Sequence, residues 1–267
     1  MKRALLGAVI ACLVTACATT TSPTGRKQYV GAVSQDQLNQ LGAQAFADAK
    51  SKQKVSNDAH KNAYVRCVVD AITRELPAGW QTQWEVALFE DSSPNAFALP
   101  GGKVGVNTGI FTVAKNQDQL AAVIGHEIGH VVSRHHDERI TKQQGTSTLL
   151  GIGSAILGSA YGSGVGNAAG QLGGAAAQTF YLLPNSRTQE SEADVVGQQL
   201  AAKAGFDPRQ AVNLWENMLA VGGSRPPQWL STHPDPQSRI SELNARASSL
   251  MPTFEQARAA GHTPKCG

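Results

Sequence analysis

The chain has 267 residues, 41% of them hydrophobic, which is enough to bury a core and suits one or two domains. Charged residues make up only 16% and the formal net charge is +3, with no basic stripe. That balance argues against intrinsic disorder and against nucleic acid as a partner, and no tandem repeat runs through the chain.

The first element is a leader. "MKRALLGAVIACLVTAC" is basic at Lys2 and Arg3, apolar from Ala4 to Val14, and small at Thr15 and Ala16, just before Cys17. This is a secretory pattern, and its apolar run is too short for a comfortable membrane span. "VTAC" resembles a bacterial lipobox, whose Cys becomes the lipid-modified N-terminus. Residues 1–16 are therefore expected to be a lipoprotein signal peptide and Cys17 the anchor. A plain signal peptide cleaved near Ala16 or Ala18 is the alternative. Ala18, rather than Asp, implies the periplasmic side of the outer membrane, with membrane contact through the lipid only. Of four cysteines, Cys12 leaves with the leader and Cys17 carries lipid. Cys67 and Cys266 remain as one pair in an oxidising compartment. They form either a disulfide or one buried thiol and one on the tail.

Residues 17–33 read as a polar tether, broken at Pro23 and Gly25. Ser34 with Gln37 is a capping box that opens a helix carrying Leu38, Leu41, Ala45 and Phe46 on one face. A second helix covers roughly 57–75, with Tyr64, Val65, Val68, Val69 and Ile72 in helical period. "WEVALFED" (84–91) alternates as a strand, and "NAFALPGGKVGVNTGIF" (95–111) adds strand, Pro-Gly-Gly turn and strand, giving a small sheet. Asn116 caps a core helix through "QDQLAAVIGHEIGHVVSRHH". The Gly/Ala/Ser-rich stretch 144–178 is expected to form two short helices near the site rather than to touch a membrane. Helices follow from Arg187 to Ala204, from Asp207-Pro208 to about Val221, and through "SRISELNARASSL", with a tail at 251–267. The fold class is α+β, mostly α, with one catalytic domain at 34–250.

"HEIGH" carries the chemistry. Positions four apart on a helix lie nearly in register, about 6 Å along the axis, so His126 and His130 offer two imidazoles to one point. Glu127, one step round, can reach a water there without displacing a histidine. This H-E-x-x-H spacing fits one zinc ion with Glu127 as general base for peptide hydrolysis. The third ligand is not in the motif. His136 has metzincin spacing, but Ser133 stands where that layout needs Gly to break the helix. On a continuous helix His136 lies about 15 Å along the axis from His126, out of reach. His135 and His136 then read as helix-end histidines. In "SRTQESEADVVG", Glu190 and Asp194 share a face. Glu190 can complete the metal triad, and Asp194 can accept the distal N–H of a ligand His. Glu192 is a rival about 200° round from Glu190.

"HEIGH" followed some sixty residues later by "ESEAD" resembles the gluzincin metallopeptidases. These include the CAAX prenyl proteases, the HtpX-type proteases and periplasmic relatives such as the β-barrel-assembly-enhancing protease. "SPTGRKQ", "NAFALPGG" and "THPDPQSRI" extend the resemblance over roughly residues 23–245. It implies a zincin-like fold with a small sheet beside the motif helix and His126, His130 and Glu190 as zinc ligands. It also implies Glu127 as base and Asp194 as their acidic support. His233 falls where relatives hold a histidine near the metal, as a fourth, displaceable ligand or an oxyanion stabiliser, and Arg239 where an Arg supports the site. The implied role is a metalloendopeptidase acting on unfolded or misfolded envelope proteins, with outer-membrane assembly machinery as a candidate partner. An edge strand near "GGKVGVN" could pair with an extended substrate. The alternative is a non-catalytic chaperone or assembly factor on the same fold.

Overall fold

The computed structural model describes residues 18–80, 84–144, 185–221, 233 and 236–267. Cys17 and nearly all of the Gly-rich 144–178 stretch lie outside them.

The chain opens with an antiparallel hairpin, β1 (Ala18–Thr21) and β2 (Lys27–Val30), with Ala18 opposite Val30 and Thr21 opposite Lys27. This corrects the tether expected at 17–33. Thr24, Arg26 and Gln28 are bonded to distant parts of the fold. Gln28 and Val30 face inward and Lys27 and Tyr29 outward, the period of two a strand requires. Gln28 Nε2 donates to the carbonyl of Ser133 at 2.6 Å.

Helix α1 (Gln35–Lys52) begins with the capping box of Ser34 and Gln37, both bonds being present. Asp58 caps α2 (Ala59–Thr73), whose Val65, Val68, Val69 and Ile72 are buried. The sheet is three-stranded in the order β3 (Glu85–Phe89), β5 (Lys103–Asn107), β4 (Ala96–Leu99). β5 runs parallel to β3 and antiparallel to β4. The turn into β5 works because Gly101 and Gly102 take φ of +80° and +69°, where a side chain would be strained. "KVGVN" is therefore the central strand, paired on both sides. The edge strand expected there is instead β4, which packs against the motif helix.

That helix is α3 (Gln117–Val132), capped by Asn116 and buried on nearly all sides. It crosses α5 (Arg187–Lys203) and also packs on α2, β4 and α6 (Gln210–Val221). The helix expected to run on to His136 breaks first. Arg134 takes φ of +55° and a new helix, α4, occupies 135–144. The last helix, α7 (Pro236–Ala259), runs past its expected end at Leu250 and through Pro252. Pro252 and Ser248 are both exposed, so water can satisfy the carbonyl that loses its partner. The tail is tied back by a disulfide from Cys266 to Cys67 on α2, Cα atoms 5.4 Å apart. No helix among the described residues is long and apolar enough to cross a membrane.

Candidate metal centre

α3 and α5 cross at glycines. A β-carbon on Gly197 would stand 2.6 Å from the carbonyl carbon of Gly125, and one on Gly129 would stand 2.7 Å from the carbonyl oxygen of Ala193. Backbone contact brings the two His of one helix to the carboxylate of the other. His126 Nε2 is 3.0 Å from His130 Nε2 and 3.4 Å from Glu190 Oε2, and His130 Nε2 is 3.3 Å from Glu190 Oε1. His233 joins from beyond α6, its Nδ1 2.9 Å from Glu190 Oε2 and 3.1 Å from His126 Nε2. Among the described residues these four are the group with metal-holding geometry, all buried and with donor atoms within 4.8 Å of one another. Glu127 is buried beside them, its Oε1 3.5 Å from His233 Nε2.

Each imidazole of α3 is fixed from behind. Asp194 Oδ1 accepts the Nδ1–H of His126 at 2.8 Å. His130 Nδ1 meets His135 Nδ1 at 2.7 Å, and His135 Nε2 meets Glu192 Oε2 at 2.9 Å. A carboxylate only accepts, so neutral His135 carries its proton on Nε2 and takes the Nδ1–H of His130. Both ligand histidines in neutral form then aim Nε2 lone pairs at one another and at a carboxylate. Such a cluster calls for a cation at its centre. Burial and Arg239 oppose charge on His126, yet Asp194 outweighs them and raises it to about 9, so a proton answers the same demand. Burial holds His130 well below its ordinary 6.5, against the pull of Glu190. Burial also opposes charge on Glu190, but His233 and His130 outweigh it and keep the carboxyl well below 4.5. Imidazole nitrogens with one carboxylate are a donor set that zinc takes readily.

Arg239 sits under this cluster, 4.2 Å over the ring of Trp215. It donates from Nε to Asp194 Oδ2 at 2.6 Å and from Nη2 to Oδ1 at 2.7 Å, and its Nη1 lies 2.6 Å from Glu190 Oε2. Burial works against charge on Asp194, but Arg239 and His126 hold its pKa low.

The structure thus gathers His126, Glu127, His130, Glu190, Asp194, His233 and Arg239, while Cys67 and Cys266 are bonded elsewhere. His136 is buried but is not in the cluster. His135, expected to be a helix-end residue, is fully buried against His130, because the break at Arg134 turns its ring back toward α3. Glu192, the rival ligand, faces His135 instead. Sequence reasoning also gave no role to Arg26, Glu138, Arg139 or Asn185. Arg139 is half-buried, and its loss of solvent lowers its pKa to about 10 despite Glu190 and Glu127 nearby. It donates to Asn185, whose Nδ2 is 3.5 Å from His130 Nε2. "SPTGR" and the doubled His after the motif were the available signals.

Relatives agree with the geometry. The chain is 39% identical over 163 residues to the mitochondrial metalloendopeptidase OMA1 of Schizosaccharomyces pombe, covering 60% of this chain and 46% of that protein. With OMA1 of Arabidopsis thaliana it shares 39% over 171 residues, 63% of this chain and 33% of the relative. With the beta-barrel assembly-enhancing protease of Escherichia coli it shares 34% over 181 residues, 66% and 37% respectively. The chain therefore spans less than half the length of each. The profile of peptidase family M48 matches residues 59–247, which include every donor of the cluster. This chain belongs to peptidase family M48.

Proposed function

We propose that this chain is a zinc-dependent metalloendopeptidase. The observation that carries this reading is the meeting of His126, His130 and Glu190 with Glu127 beside them. Zinc bound there supplies Lewis acidity, which makes a water acidic enough to react at neutral pH and polarises the carbonyl under attack. Glu127 accepts the proton from the attacking water and returns it to the departing amide nitrogen. Asp194 keeps the Nδ1 proton on His126, so Nε2 stays a donor. Arg239 holds Asp194 and Glu190 in place while neutralising part of their charge. His233 would be a fourth protein donor to a bound ion, in a position that a substrate oxygen also needs. It would then serve as a displaceable ligand. β4, at an edge of the sheet among the described residues, supplies backbone groups for an extended peptide, a mode largely blind to side chains.

Such binding suits clearance of misfolded or unassembled proteins. The lipobox-like Cys17 supports a lipid-anchored enzyme on the periplasmic face of the outer membrane. The beta-barrel assembly-enhancing protease among its relatives supports unassembled proteins as substrates. The test is cleavage of an unfolded substrate such as casein by wild type and Glu127→Gln, with zinc measured in both. The reading expects full zinc in both and a loss of on the order of 10²–10⁴-fold in turnover for the variant. Equal turnover would remove the mechanism and leave a chaperone on the same fold.

A further inference from the structure

The hairpin turn Ser22–Arg26 lies outside the region matched by the family profile, yet it is bonded to the metal centre's support. Arg26 spans two carboxylates. Its Nη1 and Nη2 each donate to Glu138 at 2.9 Å, while Nε and Nη2 donate to Glu192 Oε2 at 3.0 and 2.8 Å. The Thr24 hydroxyl donates to the other oxygen of Glu192, and Ser22 Oγ lies 3.1 Å from that hydroxyl. Gln189 fixes the far side of Glu138 at 2.9 Å. Glu192 is thus held by three donors of the one hairpin turn, and on its other side it meets the Nε2–H of His135.

We propose that this turn is a positioning element for the second metal histidine, acting through Glu192 and His135 to hold His130 with its Nε2 lone pair on the metal. His126 rests on Asp194 directly, and His130 rests on Glu192 through one intervening imidazole. The hairpin also donates from Gln28 to the carbonyl of Ser133, at the helix break that aims His135 back at His130. A rotation of Glu192 frees the His135 ring, and a freed ring lets His130 take the other tautomer, whose Nε2–H cannot bind a cation. Partners of this kind change metal affinity by roughly 10–100-fold when removed.

The inference rests on the metal centre being occupied by zinc, so the experiment separates the two. Zinc affinity is measured by competition with a chromophoric chelator, and the cobalt-substituted protein is followed by its visible absorption. Four proteins are compared: wild type, His135→Phe, His135→Asn and Arg26→Met. The amide oxygen of Asn can accept the Nδ1–H of His130 and Phe cannot. The expected result is a 10–100-fold loss of affinity and an altered cobalt spectrum for His135→Phe, recovery of most of the affinity in His135→Asn, and a smaller loss in Arg26→Met. Arg26 is on the surface side of the network, so its variant carries the test if His135→Phe does not fold. Zinc affinities equal to wild type in the folded variants, or equal losses for Phe and Asn, would overturn the inference while leaving the metal centre standing. A wild type that binds neither zinc nor cobalt would instead overturn the metal centre itself.

Discussion

Gly125 and Gly197 touch backbone to backbone where α3 crosses α5, and the distance between the two halves of the metal centre is set at that point. Two residues of the cluster lie beside this contact: His126 follows Gly125, and Asp194 lies one turn before Gly197. A β-carbon on Gly197 would stand 2.6 Å from both the carbonyl carbon of Gly125 and the backbone nitrogen of His126. Neither is a flexible side-chain end, so one helix must shift. Gly197→Ala is expected to cost about 1–3 kcal/mol of stability and to weaken zinc binding as well. Urea unfolding together with a zinc titration checks both. An alanine variant with wild-type zinc affinity would show that helix spacing is not what sets the site.

Asp194 and Arg239 are buried and paired at 2.6 Å. Removing one partner leaves the other short of a counter-charge in a medium that penalises it. Asp194→Ala is expected to destabilise chelator-treated protein by roughly 3–5 kcal/mol. Working on metal-free protein separates this from lost zinc, since a bound ion stabilises by mass action. Adding Arg239→Met should restore part of the loss in a double-mutant cycle, and a strictly additive cycle would deny the pairing.

The acid limb of stability follows from the hairpin network. Burial pushes the Glu138 carboxyl up, but Arg26 and Gln189 outweigh it and hold it at about 2. Burial likewise opposes charge on Glu192, and hydrogen bonds from His135, Ser22, Thr24 and Arg26 bring it to about 2. Both values lie below the ordinary 4.5, so their contribution is complete above pH 4.5. It fades as pH falls toward 2. Arg26→Met relaxes both shifts, and its acid unfolding midpoint, followed by circular dichroism, should move to higher pH. An unchanged midpoint would mean that the network contributes nothing.

His233 gives a prediction of opposite sign to the other site residues. A displaceable fourth ligand, as proposed for it, would compete with substrate, so His233→Ala is expected to raise kcat/KM on casein with zinc retained. A drop in turnover at unchanged zinc content would assign it to oxyanion stabilisation instead.

The parts of the site legible in the sequence were those carried by helical period. His126 and His130, four apart, and Glu190 and Asp194, four apart, each share a face whatever the surroundings, and Ser34 and Asn116 cap helices through local bonds. What stayed hidden depends on long-range contact or on a local break. Nothing local shows that Arg134 adopts a left-handed φ, so the sequence pattern predicts one helix through His136 with His135 at its end. The hairpin was hidden for a related reason. Ser22, Thr24 and Arg26 are polar and flanked by breakers, which reads as solvated chain, and only the distant Glu138 and Glu192 give them partners. Sheet order was ambiguous too, because alternation identifies "KVGVN" as a strand without saying whether it has one neighbour or two.

The central claim is that the third ligand comes from α5 and not from the end of the motif helix. Bound zinc per chain, measured on native protein for wild type, Glu190→Gln and His136→Ala, tests it most directly. One zinc is expected in wild type and in His136→Ala, with zinc lost from Glu190→Gln. Zinc retained without the Glu190 carboxylate but lost without His136 would contradict it.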